Sequence, residues 1–330
     1  MFASLPDPLL AAARQLAAAG AWRELTVLLA PRADSDASSG EEKLLYAEAL
    51  MRTGEERQAL AFLRDLETTL ADNGSRALHR RAVNMIGVAY YAVGDLDAAI
   101  AALSRTLELA TQDDDLLMMA QATNNLGNIS NIQGRHEDAL WQFRLALPML
   151  QRLGQATLLA QGYHNMAHIF RDLGDLDEAD EHERRAIDYA HDGTAPRVVA
   201  MGRVGRAEIA LRRGDAALAE TTARLAVEEL VPLGDPLNEG DAYRVVGASC
   251  TALQRYDDAL AALSRALEIA RLHGHALNEA ESLRDRVDVR VRRGERDLAL
   301  DDARAALAIF EKLGARTERD ALQQRIDALR

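Results

Sequence analysis

The 330-residue chain has one cysteine, Cys250, so no intramolecular disulfide is open to it, and a disulfide-stapled secreted fold is excluded. No apolar run approaches the roughly 18 residues that a membrane-spanning helix requires. The opening MFASLPDPLL places Asp7 where a secretory signal would carry basic residues, which makes the cytoplasm the expected compartment. Aromatic residues are only 4% of the chain, too sparse to stack nucleic-acid bases repeat by repeat. A formal net charge of −13 argues the same way against nucleic acid, and against an anionic membrane surface. Strand-like alternation is missing. So are the GxGxxG and GxxxxGK phosphate loops and the GxSxG nucleophile elbow. No cofactor is called for, and no catalytic residue is nominated.

What the chain has in quantity is alanine, leucine, glutamate and arginine, all good helix formers, and they recur with a period. Gly54, Gly94, Gly134, Gly174, Gly214 and Gly294 stand at steps of 40 residues or a multiple, with Gln254 filling the gap. Five residues after each point comes alanine without exception: Ala59, Ala99, Ala139, Ala179, Ala219, Ala259 and Ala299. A second column holds Gly74, Gly154, Gly234, Gly274 and Gly314, with Asp114 and Thr194 at the missing places. Two turns per period make two helices per unit. The first ends at a glycine free to take positive φ, and the second opens with acidic residues at its positive end, as in GDLDAAIAALSRTLELA. The alanine column reads as the point where two helices cross closely. One hairpin leaves an apolar face bare, so hairpins must stack, and the expected class is an all-α solenoid.

The blocks NNLGNISNIQGRHEDALWQFRLAL and NMIGVAYYAVGDLDAAIAALSRTL resemble the tetratricopeptide repeat. That unit is usually about 34 residues long. The longer unit here resembles the lengthened repeats of spindle-orientation adaptors and of bacterial peptide-pheromone receptors. The resemblance implies a right-handed superhelix of stacked hairpins, with first helices lining a concave groove and second helices outside. Residues 1–40 are expected to form a capping hairpin and loop, 41–316 seven repeats, and 317–330 a capping helix with Leu322, Ile326 and Leu329 on its apolar face. It further implies that asparagines and arginines on inner helices hold the main chain of a bound peptide.

The register then sorts residues by surface. Ile86, Leu126, Met166 and Val246 share an apolar column, and Tyr90, Phe170 and Cys250 another, so both are expected in the core; Arg206, Arg286 and Arg290 break them. On the opposite face Asn84, Asn124, His164, Arg244 and Arg284 make one row, with Asn128 and His168 a turn later and Arg81, Gln121 and Gln161 a turn earlier. Asn131 and Arg171 continue these faces, and Asn125 and Asn165 sit beside them. Four asparagines in NNLGNISN cost up to roughly 2–3 kcal/mol of helix propensity relative to alanine, which something must offset. Side-chain amides match the alternating C=O and N–H of an extended peptide, and Asn124, Asn128 and Asn131 fall at i, i+4 and i+7. The plainer alternative is that they satisfy inter-repeat contacts or face water. First helices carry more basic than acidic residues and the rest carries the acid excess, which favours a ligand with carboxylates, such as an acidic peptide or a free C-terminus. A solvated charged exterior is the alternative.

His164 and His168 in HNMAH stand one turn apart, a chelating spacing, but a zinc-hydrolase helix has glutamate where Asn165 stands and no third ligand is evident. No metal is therefore expected. Asp113 to Asp115 reads as a capped turn, without calcium-loop spacing. The expected function is that of a non-enzymatic adaptor whose groove binds a peptide or protein segment. Its rivals are a peptide-sensing regulator whose ligand changes superhelix pitch, and a structural scaffold that self-associates through its terminal helices.

Overall fold

In the computed structural model, which describes residues 8–33, 35–73, 75–192 and 195–329, the 40-residue period becomes a run of helical hairpins. Helices α1 (Pro8–Ala18) and α2 (Trp22–Leu29) come first, followed by a short 3-10 turn. Seven pairs follow: α3 (Gly40–Arg52) with α4 (Glu56–Asn73), α5 (Arg76–Ala92) with α6 (Leu96–Gln112), α7 (Leu116–Ile132) with α8 (His136–Arg152), and α9 (Ala156–Leu173) with α10 (Leu176–Asp192). The series continues with α11 (Pro196–Arg212) and α12 (Ala216–Leu233), α13 (Pro236–Ala252) and α14 (Tyr256–His273), and α15 (Ala276–Arg292) and α16 (Arg296–Leu313); α17 (Arg316–Ala328) stands last. Among the described residues no strand occurs, and no helix is long and apolar enough to cross a membrane.

The turns follow from backbone chemistry. All six glycines of the first column adopt positive φ, between +73° and +89°. Gln254 and Asp114, where glycine is missing, take φ of +60° and +53°, so packing imposes the left-handed turn even on residues with a Cβ. Gly74 and Thr194 lie outside the described residues. Helix starts are capped by Asp95, Asp115, Asp215 and Asp235, each accepting from the backbone N–H three residues on. Ser39 and Glu42 form a capping box at α3. Asp113 and Asp115 also clamp the buried Arg80, which gives the acidic turn its role.

All seven alanines of the periodic column are fully buried. Gly87, Gly127 and Gly247 let the next helix approach: a Cβ on Gly127 would stand 2.9 Å from the Phe143 ring, and one on Gly87 2.7 Å from Leu103. Ile86, Met166, Val246 and Cys250 are buried, while Leu126, Tyr90 and Phe170 are half-buried at the margin of the core. Burial pushes the Cys250 thiol up, leaving it a packed apolar side chain. The broken columns have a physical reason: Arg286 and Arg290 both converge on the buried carboxylate of Asp302 on α16, so an ion cluster replaces apolar contact there. Arg206 is exposed and reaches Asp180. Leu322 and Ile326 of α17 are buried against the last hairpin.

Every substantial contact between helices two apart joins odd-numbered ones, from α1 with α3 to α13 with α15. First helices are therefore crowded on the inner side of the curve and second helices spread on the outer. The curve closes on itself. His273 Nδ1 lies 2.9 Å from the Gly54 carbonyl, His275 Nε2 lies 3.3 Å from Glu56, and a Cβ on Gly94 would touch Ala276 and Leu313 at 3.0–3.1 Å. Leu96, Ala99, Leu103 and Ile129 thereby share one core with Leu283, Val287, Phe310, Leu313 and Ile326. Tips of the first three hairpins rest on the turns around α15 and α17, and successive levels of the superhelix are in contact.

Candidate functional site

Inner helices α9, α11, α13 and α15, with α17, converge around a pocket of ≈ 200 Å³ bordered by Arg171, Glu208, Arg244, Glu281, Asp285 and Glu318. Arg171 and Arg244 both bind Glu208, from either side. Arg244 also reaches Asp241 at 2.7 Å and Asp285 at 3.1 Å, and Arg284 pairs with Asp285 at 3.1 Å. Burial alone would lower the Arg244 pKa, but Asp241, Glu281 and Asp285 outweigh it and hold the guanidinium well above its ordinary range. The same burial raises Glu281. The chain thus contains an ion network that is matched internally, with each cation facing at least one acid.

The network continues through two imidazoles. Arg171 Nη2 lies 3.0 Å from His168 Nδ1, His168 Nε2 lies 3.0 Å from His164 Nε2, and His164 Nδ1 meets the Glu183 carboxylate at 2.9–3.0 Å. Arginine can only donate, which fixes the direction of the whole chain. His168 accepts at Nδ1 and donates at Nε2, and His164 accepts at Nε2 and donates to Glu183. Burial, followed by the charge of Arg171, holds the His168 pKa well below its usual value. Burial raises that of Glu183 despite the pull of His164.

The residues nominated from sequence therefore fall into two groups. His164, His168, Arg171, Arg244 and Arg284 are brought together, on inner helices α9, α13 and α15, and each has an internal partner. Arg81 pairs with Glu48 of the preceding hairpin at 2.6 Å. Gln121, Asn124, Asn125, Asn128, Gln161 and Asn165 are half-buried, as is Asn84. Asn84 and Asn124 each keep a buried amide oxygen with no hydrogen-bond partner among the described residues. Asn131 differs: its Oδ1 meets His136 Nδ1 at 2.9 Å, tying α7 to its own hairpin partner.

The acids of this centre, Glu183, Glu208, Asp241, Glu281 and Asp285, were not nominated. Glu183 was nevertheless visible in the register. Its 40-residue counterparts are Leu63, Leu103, Phe143, Ala223, Leu263 and Ala303, all fully buried, and Glu183 is itself only 1% exposed. It is an acid in a core column, and Gly205 on α11 makes room for it, since a Cβ there would collide with the carboxylate. It also supplies, from a neighbouring helix, the third group that HNMAH alone lacks.

A tetratricopeptide repeat model matches residues 118–190 and 238–312, and a second such model matches 81–113, together more than half of the chain. None of the curated proteins matches it in sequence. Among solved structures it is similar to a Rap protein complexed with competence and sporulation factor, at 13% identity and a TM-score of 0.62, covering 97% of this chain and 96% of that one. It is similar also to the Rap conjugation gene regulator of plasmid pLS20 in complex with the Phr* peptide, at 16% identity and 0.69 over 87% and 80% of the two chains. A chain of the APC/C hetero-tetramer Cut9–Hcn1 matches at 17% identity and 0.61, over 95% of this chain and 55% of that one. At these identities the likeness is one of fold.

Proposed function

Because this chain belongs to the tetratricopeptide repeat family, we propose that it is a non-enzymatic binding protein whose concave face holds an extended peptide or a segment of a protein partner. The observation that carries this reading is the unused hydrogen-bonding capacity of Asn84 and Asn124 on adjacent inner helices. An unpartnered buried amide oxygen costs about 1–3 kcal/mol, and a soft χ2 lets the amide turn toward a ligand's backbone. Asn128, a turn beyond Asn124 and half-buried, extends the row. The Rap conjugation gene regulator, solved with the Phr* peptide, supports the same use of this fold. The basic bias of the first helices favours a segment with carboxylates or a free C-terminus, for which Arg81 and Arg284 keep donors beyond their single acid partners. The compartment that suits this reading is the cytoplasm.

The test is a displayed random-peptide library panned on the whole chain and on N124A/N128A, with binders remeasured by fluorescence anisotropy. Peptides that bind the parent and lose at least tenfold in affinity on the variant support the reading. Equal affinity for both removes the amide row from the site.

A peptide-sensing regulator is the second reading, favoured by the contact between superhelical levels. A ligand that spreads the inner helices would have to disturb His273 against Gly54 and Leu313 against Gly94, so binding and closure are coupled. Self-association through the terminal helices would draw on exposed apolar groups such as Val27 of α2, and light scattering distinguishes it.

A further inference from the structure

We propose that His164, His168 and Glu183 form a binding site for one divalent late transition-metal ion of the Zn²⁺, Ni²⁺ and Cu²⁺ class. The inference is independent of whether the groove takes a peptide. The two Nε2 atoms face one another at 3.0 Å with a single proton between them. An ion with bonds of about 2.1 Å to each would fit at a bite angle of about 90°. Binding is then a tautomer exchange: the ion takes both Nε2 lone pairs, the single proton of His168 passes by way of solvent from Nε2 to Nδ1, and Arg171 gives up its hydrogen bond to Nδ1, so both imidazoles remain neutral and no net proton is released. Neutral imidazole nitrogens suit this class of metal and not magnesium or calcium.

Glu183 makes the pair a built site. Its carboxylate holds His164 Nδ1–H at 2.9–3.0 Å, which fixes the tautomer that leaves Nε2 as a lone-pair donor aimed at His168. This carboxylate–imidazole relation is the one that orients metal ligands elsewhere. The acid stands in a column otherwise filled by apolar side chains, and Gly205 vacates the space it needs. Buried ion pairs can often be replaced by apolar residues without loss of stability, so an acid kept at such a position suggests a use beyond packing. Arg171, on the far nitrogen of His168, is offset by Glu208. His168 is half-buried where His164 is buried, which leaves a path for the ion and room for water on its open coordination positions.

The test uses the full chain, stripped with chelator, titrated with Zn²⁺ by calorimetry in buffers of different ionisation enthalpy, and with Cu²⁺ by electron paramagnetic resonance. One ion per chain, no net proton released, and hyperfine coupling to two imidazole nitrogens are expected. The comparison is H164N/H168N, because Asn124 and Asn128 hold these places in the preceding hairpin, so the exchange keeps a residue that the repeat already accepts. It should weaken Zn²⁺ at least tenfold. E183Q should weaken it by about tenfold or more, because a neutral amide holds His164 Nδ1–H less firmly than the carboxylate does. Absence of saturable binding, or binding that survives H164N/H168N unchanged, overturns the proposal. Should that variant fail to fold, copper spectra of the parent without two coupled imidazoles do the same.

Discussion

Glu183 meets His164 Nδ1 at 2.9 Å from a position that Leu103, Phe143 and Leu263 fill in other hairpins. The pair is thus a polar exchange within the core, and its two members depend on each other. Glu183→Leu alone leaves a buried imidazole N–H unpaired and is expected to destabilise the chain by about 1–3 kcal/mol. Adding His164→Asn reproduces the Asn84 and Leu103 combination of the α5–α6 hairpin and should recover most of the loss. Urea-unfolding midpoints of the parent, the two single variants and the double variant measure the coupling. Additive losses would show that the two side chains do not act as a pair.

Titration of the same chain has a defined sign. The folded His168 pKa is depressed below 6.5 by burial and by Arg171, with His164, Arg244 and Arg212 adding to it. Its contribution to stability is therefore present above pH 6.5 and is lost as pH falls through the folded value, because the unfolded imidazole takes up a proton first. Glu183, raised above 4.5 by burial, works the other way: its contribution is present below 4.5 and lost as pH rises through the folded value. The two oppose one another in acid. Removing the glutamate term in E183Q should make the melting temperature fall more steeply as pH drops below 6.5 than in the parent, and H168N should fall less steeply. Identical slopes in all three would contradict the assignment.

The solenoid was legible because it is written in local chemistry that repeats. Glycines fix the turns, alanines fix the crossings, and a column without exceptions leaves one register to choose. Even the gaps were informative, since Gln254 and Asp114 keep the left-handed turn that their neighbours predict. The register sets the inner arginines in a row but does not show that they are already paired. Their acids sit on other helices or at neighbouring positions of the same helix, and register alone does not tell which carboxylate a long side chain will reach. Closure of the superhelix left no mark at all. His273 and Gly54 are 219 residues apart and meet only because small rotations from hairpin to hairpin accumulate, which is a property of the assembled array.

That closure has a measurable consequence. Leu313 is 2% exposed and lies 3.1 Å from where a Cβ on Gly94 would stand, at the contact between superhelical levels. Leu313→Asp places a charge in that contact, so the levels should part while the hairpins keep their own cores. The expected result is a larger radius of gyration by small-angle X-ray scattering with helical circular dichroism retained. A milder shift in the same direction is expected for H273A/H275A, which removes the contacts to Gly54 and Glu56. An unchanged radius in both variants would mean that other contacts hold the levels together.

Asn84 and Asn124 carry the opposite prediction about stability. Each keeps a buried oxygen without a partner among the described residues, and each sits inside a helix where alanine is preferred. Alanine at either position removes an unsatisfied group and a poor helix former together, so each change should stabilise the free chain, by about 1 kcal/mol. The gain in melting temperature should be roughly additive, since the two residues lie on different hairpins. Peptide affinity should move the other way. A site that binds through these amides loses affinity as the scaffold gains stability, which is the trade expected where polar groups are held ready for a ligand. If both alanine variants prove less stable than the parent, the oxygens have partners within the fold, and the case for the amide row as a peptide ladder goes with them.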